Sequence, residues 1–356
     1  MIDTPRQAWP MPRKPRKIVF IGAGGIVRAA HLPAYRTCGF EIAGVYDVRS
    51  SSANSLAKDG GIARVFDSIA DAARERQVVF DIAVPADQIL PVLRQLPERS
   101  CALIQKPLGR DLREAKRIVE LCRAKRFVAA VNFQLRFAPN MLVLQRALSR
   151  KTLGQVIDVE IRTRTHTPWA QWEFLRGIPR MEILYHSIHY LDLLRACFGE
   201  PRAIWASALP DSRFAGYADT RTSAMLTFAG GIRATIVTAH SHEFADACKS
   251  SHVLVEGSRK ALLATMGVNL DYPRGKPDTL QVCARNGDWK SVPLTGSWFP
   301  DAFAGTMANL QRFVLGQDRV LHTAVADAQK TMAVVEACYR SSTSGTTTIP
   351  TLDKRS

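Results

Sequence analysis

Gly22-Ala23-Gly24-Gly25-Ile26-Val27 follows a short β-branched run and opens a helical pattern, the strand–turn–helix context in which a glycine loop cradles a pyrophosphate. Glycines there let the backbone turn tightly and approach the ligand, whose charge is stabilised by the unpaired N–H groups of a helix N-terminus. Val27 stands at the third glycine position of the G-x-G-x-x-G pattern, so strand–helix packing is relaxed and the loop alone is weak evidence. Asp47 adds to it. It ends the second strand, twenty residues beyond Val27, where a carboxylate accepts both ribose hydroxyls of an adenosine half. An ordinary turn aspartate would not need that placement. The same carboxylate repels a 2′-phosphate and so favours NAD, whereas Arg49, two residues on, is able to pair with such a phosphate and keeps NADP open.

Lys106 precedes Pro107 at the end of the run Ala102–Gln105, which reads as a parallel strand, and ligands of open α/β sheets bind at the carboxyl edge of such strands. An ammonium beside a cofactor ring hydrogen-bonds a substrate oxygen and stabilises alkoxide character as hydride leaves. Read blandly, it is a surface lysine after a strand. Val84 and Pro85 close the preceding strand and, with Gln105, Ile26 and Val27, complete the expected cofactor wall. A further cluster, Tyr185-His186-Ser187-Ile188-His189 with Asp192, lies in a long helical pattern, Glu182–Phe198. An imidazole, with an unperturbed pKa near ~6.5, accepts a proton at neutral pH, as oxidising an alcohol to a carbonyl requires. On a half-apolar helix, however, a histidine is more often a satisfied core or surface residue. No metal is expected: His186, His189 and Asp192 drift around a helix by about 60° per step, and no clustered fourth ligand accompanies them.

The stretch from His166 to Arg176 reads as a loop over the pocket. Trp169, Trp172 and Arg176 suit stacking on a sugar-like ring and pairing with a carboxylate or hydroxyls. Anchoring the loop by burial, or a subunit contact, would use the tryptophans equally well. Asn132 and Arg136 end the crossover toward the same cleft, where Arg136 serves either a substrate or a structural ion pair.

The elements that must position these residues follow from periodicity. From Lys17 to Phe133, the runs Lys17–Gly22, Ile42–Asp47, Val78–Val84, Ala102–Gln105 and Phe127–Phe133 alternate with helical patterns at Ile26–Cys38, Asp87–Leu96 and Asp111–Lys125. Such alternation predicts parallel βαβ units and a doubly wound Rossmann sheet. Beyond about Asn132, strands at Val156–Thr163, Thr222–Phe228, Ile232–His240, Ser251–Gly257, Ala261–Met266, Thr279–Ala284 and Trp289–Leu294 follow one another with short turns and predict an open, mostly antiparallel sheet. Helices at Glu182–Phe198, Ala302–Leu315 and Ala324–Tyr339 make this half α+β, and Ser341–Thr348 reads as a polar connector. The expected division is a disordered basic lead-in over 1–16, a dinucleotide-binding domain over 17–131, and a substrate-binding and oligomerisation domain over 132–356.

With 356 residues, 46% hydrophobic and 22% charged, the chain suits two globular cores. It shows no apolar run long enough for a membrane span, and its N-terminus lacks the core of a secretory signal. The net charge of +16 is spread along the chain rather than gathered, which suits a solvated surface that draws anionic cofactors more than a nucleic-acid partner. Seven scattered cysteines with no CxxC pair read as free thiols of a cytoplasmic protein.

Taken together, Gly22-Ala-Gly24-Gly25 with His31-Leu-Pro33, Gln105-Lys106-Pro107, Arg136-Phe137-Ala-Pro139, His186-Ser-Ile-His189-Tyr-Leu-Asp192 leading to Gly199-Glu-Pro201, and Ala337-Cys338-Tyr339 resemble the Gfo/Idh/MocA oxidoreductases (glucose-fructose oxidoreductase, inositol dehydrogenase, rhizopine catabolism) over nearly the whole chain. The resemblance implies that Lys106 sits near the nicotinamide and the reacting hydroxyl, although Gln105 replaces the glutamate of the family's Glu-Lys-Pro. It implies that His189 is the general base of the family's Asp-x-x-x-His helix motif, although Tyr185 stands where the aspartate would be and His186 one place nearer. Spacing of four places Tyr185 and His189 on one helix face. A tyrosine is able to orient the imidazole but offers no anion to hold its protonated form, so basicity at His189 is reduced. The expected activity is hydride transfer between a nicotinamide cofactor and a secondary alcohol or carbonyl of a sugar, polyol, inositol or cyclic diol, in a homo-oligomer formed through the C-terminal sheet. The alternative is a dinucleotide-binding regulator or scaffold with little or no chemistry, against which the retained Lys106 and His189 speak.

Overall fold

The computed structural model describes residues 6–344. Its first sheet contains β1 (Lys17–Ile21), β2 (Ile42–Tyr46), β3 (Val78–Ile82), β4 (Cys101–Ile104) and β5 (Val128–Val131), all parallel in the order β2-β1-β3-β4-β5. A bridge from Val45 to Val65 continues it past β2. Alternate β1 residues serve opposite faces, as period two demands. Ile18 and Phe20 pack with Val27, Leu32, Tyr35 and Leu56, whereas Val19 and Ile21 pack with Ile89, Leu93 and Ile118. The first face carries a π-helical turn, Val27–His31, running into α1 (Leu32–Thr37), and α2 (Ser50–Gly60); α3 is a single turn at Ile69–Ala72. The second face carries α4 (Ile89–Gln95) and α5 (Leu112–Ala124), the latter opened by Asp111, whose side chain accepts from Glu114 N–H.

After α6 (Pro139–Ser149) comes the second sheet: β6 (Val156–Arg164), then α7 (Ile188–Phe198), β7 (Ala203–Leu209), β8 (Arg221–Thr227), β9 (Arg233–Ala239), β10 (Ser250–Gly257), β11 (Lys260–Thr265), β12 (Thr279–Ala284) and β13 (Lys290–Ser291). Its order is β13-β12-β11-β10-β6-β9-β8-β7, antiparallel except where β6 pairs β9. The strand expected at Trp289–Leu294 shrinks to Lys290–Ser291 at the sheet's edge. The fold thus pairs an N-terminal Rossmann sheet with a C-terminal, mostly antiparallel sheet.

The helices α8 (Ala302–Val314) and α9 (Val325–Thr343) depart from the expected division at 131/132. The first packs on the first domain, and the second lies between the two, against α5 and β5 on one side and β7 and α7 on the other. Phe303, Met307 and Leu310 of α8 join the core beneath Phe20 and Tyr35, and Val131 N–H donates to Thr323 O at 2.8 Å. The polar connector expected from Ser341 begins inside α9 instead: the hydroxyls of Ser341 and Ser342 accept the edge-strand N–H groups of Ala206 and Ala208, both at 2.9 Å. Residues 345–348 of that stretch lie outside the described residues. The lead-in is not a disordered tail over residues 6–16. Trp9 lies edge-on to Phe137 and His322 and donates its indole N–H to Asp318 at 2.8 Å, because an indole is stabilised by burial once its polar edge is paired. Residues 1–5 lie outside the described residues. Among the described residues no helix is long and apolar enough to cross a membrane, and all seven cysteines are free.

Candidate functional site

The crevice between β1 and β3, where chain direction along the sheet reverses, is where an open α/β sheet takes its ligand. Gly22 has φ of 110°, and a Cβ there would lie 2.3 Å from Ala83 O, so this position requires glycine. Nothing lies within 4 Å of where a Cβ would stand at Gly24 or Gly25, leaving clear space over the loop for a pyrophosphate. Ile26 and Val27 enter the π-helical turn, while Val84 and Pro85 leave β3, with Val84 Cγ1 3.5 Å from the Cβ position of Gly22. Asp47 Oδ2 accepts from Ala23 N–H and Oδ1 from Arg49 N–H, each at 2.8 Å, so its carboxylate is fixed at the crevice mouth. The Arg49 guanidinium is exposed and 3.9 Å from Asp47. These residues fit a dinucleotide.

Beneath the loop lies a buried polar chain that sequence reasoning missed. His31 Nδ1 is 2.8 Å from Asp81 Oδ2, which also accepts from Tyr35 OH at 2.7 Å. His31 Nε2 faces the amides of Asn132 at 3.3 Å and Gln105 at 3.4 Å, and Gln105 Oε1 accepts Lys106 N–H at 2.9 Å. The Gln105 and Asn132 side chains therefore meet His31, and Gln105 supports the Lys106 backbone from behind.

Lys106 reaches across the domain junction: its Nζ donates to the backbone oxygen of Tyr185 at 2.6 Å, and burial pushes its pKa down to about 8. Tyr185 belongs to the π-helical turn Ile183–Ser187 that precedes α7. That wider turn breaks the four-residue spacing. The Tyr185 ring lies edge-on to Phe174 at 5.8 Å, with Lys106 Nζ 6.0 Å from its centroid, and burial, then Asp87 and Glu114, raise its hydroxyl to about 12. His189 Nδ1 is buried with no hydrogen-bond partner among the described residues, so the structure does not make Tyr185 its orienting group. The imidazole sits between Trp298 and Phe133, and burial, then Lys106 and His186, hold its pKa well below the usual histidine value.

Four other expected site residues make contacts within the protein. Arg136 forms a bidentate pair with Asp192, at 2.5 and 2.6 Å, and a third bond to Asp327 at 2.7 Å, and Arg195 joins Asp327 at 3.1 Å. This is the structural ion pair rather than a substrate contact: Arg136 and Asp192 are 7% and 1% exposed. Trp169 is buried against His240 and Trp172, anchoring its loop, and Trp172 tilts on Tyr272. Arg176 is exposed and lies against Gly216. His186, by contrast, joins Glu182 and His240, neither foreseen: its Nδ1 is 3.3 Å from Glu182 Oε1, and its ring is 4.3 Å from that of His240. Glu182 could have been flagged by its four-residue spacing from His186, but His240 lies 58 residues from Glu182 in sequence and gave no local signal.

A Rossmann crevice with a clear glycine loop, joined by a lysine to the helix of a second domain, defines a NAD(P)-dependent oxidoreductase. Residues 16–133 match the model described as "Oxidoreductase family, NAD-binding Rossmann fold", and residues 141–263 match the GFO/IDH/MocA C-terminal domain. The chain belongs to the Gfo/Idh/MocA family, whose NAD(P)-binding oxidoreductases act on sugar- and polyol-type substrates. It is similar to D-apiose dehydrogenase of Paraburkholderia graminis, 26% identical over 93% of this chain and 88% of that protein. Similar solved structures include an oxidoreductase from Agrobacterium radiobacter in complex with NAD+, L-tartaric acid and magnesium, with TM-score 0.76 and 19% identity over 92% of this chain and 96% of that one. Another is the WlbA dehydrogenase from Bordetella pertussis in complex with NADH and UDP-GlcNAcA, with TM-score 0.73 and 17% identity over 96% of this chain and 100% of that one.

Proposed function

We propose that the protein transfers hydride between NAD and a secondary alcohol or carbonyl carbon of a sugar, polyol, inositol or cyclic diol. The observation that carries this reading is the meeting of Lys106, from the Rossmann sheet edge, with the helical segment that bears His189. The bound nicotinamide supplies the hydride acceptor or donor. In the oxidative direction the Lys106 ammonium donates a hydrogen bond to the substrate oxygen and stabilises its developing negative charge. His189, neutral at pH 7, accepts the hydroxyl proton and returns it in the reverse direction. Its weak basicity places much of the load on Lys106, which near pH 8 is itself poised to exchange a proton. Asp47 favours NAD, because its fixed carboxylate suits ribose hydroxyls and repels a 2′-phosphate; Arg49 is the residue through which NADP would bind.

A homo-oligomer through the open face of the C-terminal sheet accompanies this reading. Trp205, Met225, Leu209 and Val237 on β7, β8 and β9 are each between 41% and 50% exposed, more apolar surface than an isolated sheet face needs. The regulator reading keeps one observation in its favour, the unpartnered His189 Nδ1 where the family motif supplies an aspartate. Fluorescence titration with NADH and NADPH, followed by an absorbance screen of sugars and polyols, separates the two. Turnover on a polyol that Lys106→Ala and His189→Ala abolish supports the dehydrogenase. Tight binding without turnover on a broad panel favours the regulator, and no binding of either nucleotide refutes both.

A further inference from the structure

Glu182, His186 and His240 put one carboxylate oxygen and two ring nitrogens within 4.8 Å of one another, on two elements of the second domain. The bonds of a tetrahedral zinc-type ion, ~2.0–2.1 Å to nitrogen and oxygen, set neighbouring ligand atoms ~3.3 Å apart. Glu182 Oε1 stands 3.3 Å from His186 Nδ1 and 3.1 Å from His240 Nε2. The first of these is not a hydrogen bond: His186 Nδ1 is buried without a partner among the described residues. It holds the spacing of a ligand pair without the geometry of a donor and an acceptor.

The surroundings have the form of an outer shell that fixes metal ligands. Ser187 Oγ donates to the Glu182 carboxylate at 2.9 Å and Thr222 Oγ1 to its Oε2 at 2.6 Å, while Thr167 Oγ1 sits 2.7 Å from His240 Nδ1. With Nδ1–H donated to Thr167, His240 presents its Nε2 lone pair to the same point as the Glu182 oxygen, an arrangement that only a cation between them makes favourable. Without an ion the other tautomer is needed, with Thr167 donating and Nε2–H turned to Glu182. Glu182 is fully buried, and its partners among the described residues are hydroxyls and imidazoles, with no lysine or arginine to balance it. Trp169 closes one side over His240, and the His186 ring, 16% exposed at its other atoms, keeps Nδ1 buried beside Glu182.

We propose that Glu182, His186 and His240 form a site for one divalent transition-metal ion of the zinc class. Two imidazoles and a single carboxylate suit zinc, cobalt or nickel, whereas calcium and magnesium prefer oxygen donors in greater number. The proposal departs from the expectation of no metal, which considered His186 only with its neighbours on one helix. It does not rest on the proposed hydride transfer, because its test reads metal and not turnover.

The experiment uses the full chain, purified and then stripped with a chelator, and titrated with Co²⁺ as the probe. The expected result is one Co²⁺ per chain with the intense visible ligand-field bands of a low-coordinate nitrogen and oxygen site, displaced by one equivalent of Zn²⁺. His186→Ala and His240→Ala remove the bands. Thr167→Val, which loses only the outer-shell bond, weakens Co²⁺ binding ~10–100-fold. His252→Ala, a histidine near the surface paired with Glu160, leaves binding unchanged. Absence of the bands from the unmutated chain overturns the proposal, as does their persistence in His186→Ala.

Discussion

Lys106→Met separates the chemistry of the site from the stability of the fold. Burial lowers the ammonium from 10.5 to about 8, and at about 1.4 kcal/mol for each tenfold change the folded protein at pH 7 bears about 3 kcal/mol for keeping that charge. Lys106→Met removes both that cost and the hydrogen bond to Tyr185 O, so stability at pH 7 is expected to stay level or rise by up to about 3 kcal/mol. The pH dependence has a fixed sign. Below about 8 the lysine is protonated folded and unfolded, and the burial cost is present in full. Between about 8 and 10.5 the unfolded chain holds more protons, so the parent gains stability with rising pH, by up to about 3 kcal/mol relative to the methionine variant. Turnover behaves differently: losing a preorganised donor at the reacting oxygen costs ~100–1000-fold in kcat. Urea unfolding of both proteins at pH 7 and pH 10, beside kcat on a substrate found in the polyol screen, tests all three statements. A variant that loses several kcal/mol at pH 7, that shows no change relative to the parent between pH 7 and pH 10, or that retains full turnover would refute the reasoning.

Other perturbations separate binding, folding and assembly. Asp47→Ser removes the carboxylate that holds Ala23 and Arg49 N–H and would accept the ribose hydroxyls; we expect NADH affinity to fall ~10-fold or more while NADPH affinity holds or rises, read by fluorescence titration. Arg136→Met leaves the buried Asp192 without its cation and Asp327 with Arg195 alone, and should cost ~3–5 kcal/mol in urea unfolding, with KM for a found substrate unchanged if enough folded protein remains. A rise in KM at full stability would return Arg136 to the substrate site. Trp205→Arg on the exposed sheet face should lower the sedimentation mass of an oligomer that uses this face, and leave it unchanged if the subunits meet elsewhere.

What could be read from the chain was whatever local backbone or element order specifies. The glycine loop was legible because Gly22 answers a local demand, a positive φ with Ala83 O pressed against it, and Asp47 because a strand end puts it at the loop. Lys106 could be placed at the sheet edge by counting strands, but its partner on the π-helical turn could not, because that turn departs from the period on which helix reading depends. The same departure misled the pairing of Tyr185 with His189. Asn132 and Gln105 were read as crevice residues, and they meet His31, whose distance from them in sequence hides the contact. Arg136 was open between two roles, and only the approach of Asp192 and Asp327, 56 and 191 residues away, decides for the ion pair. Glu182 and His240 mark the boundary most sharply. They belong to different elements, and their meeting depends on how the end of β9 lies against the helix of the same domain. Such a cluster carries no spacing of its own. The chemistry most open to discovery in this chain therefore sits where its elements pack, rather than in the motifs by which its family is known.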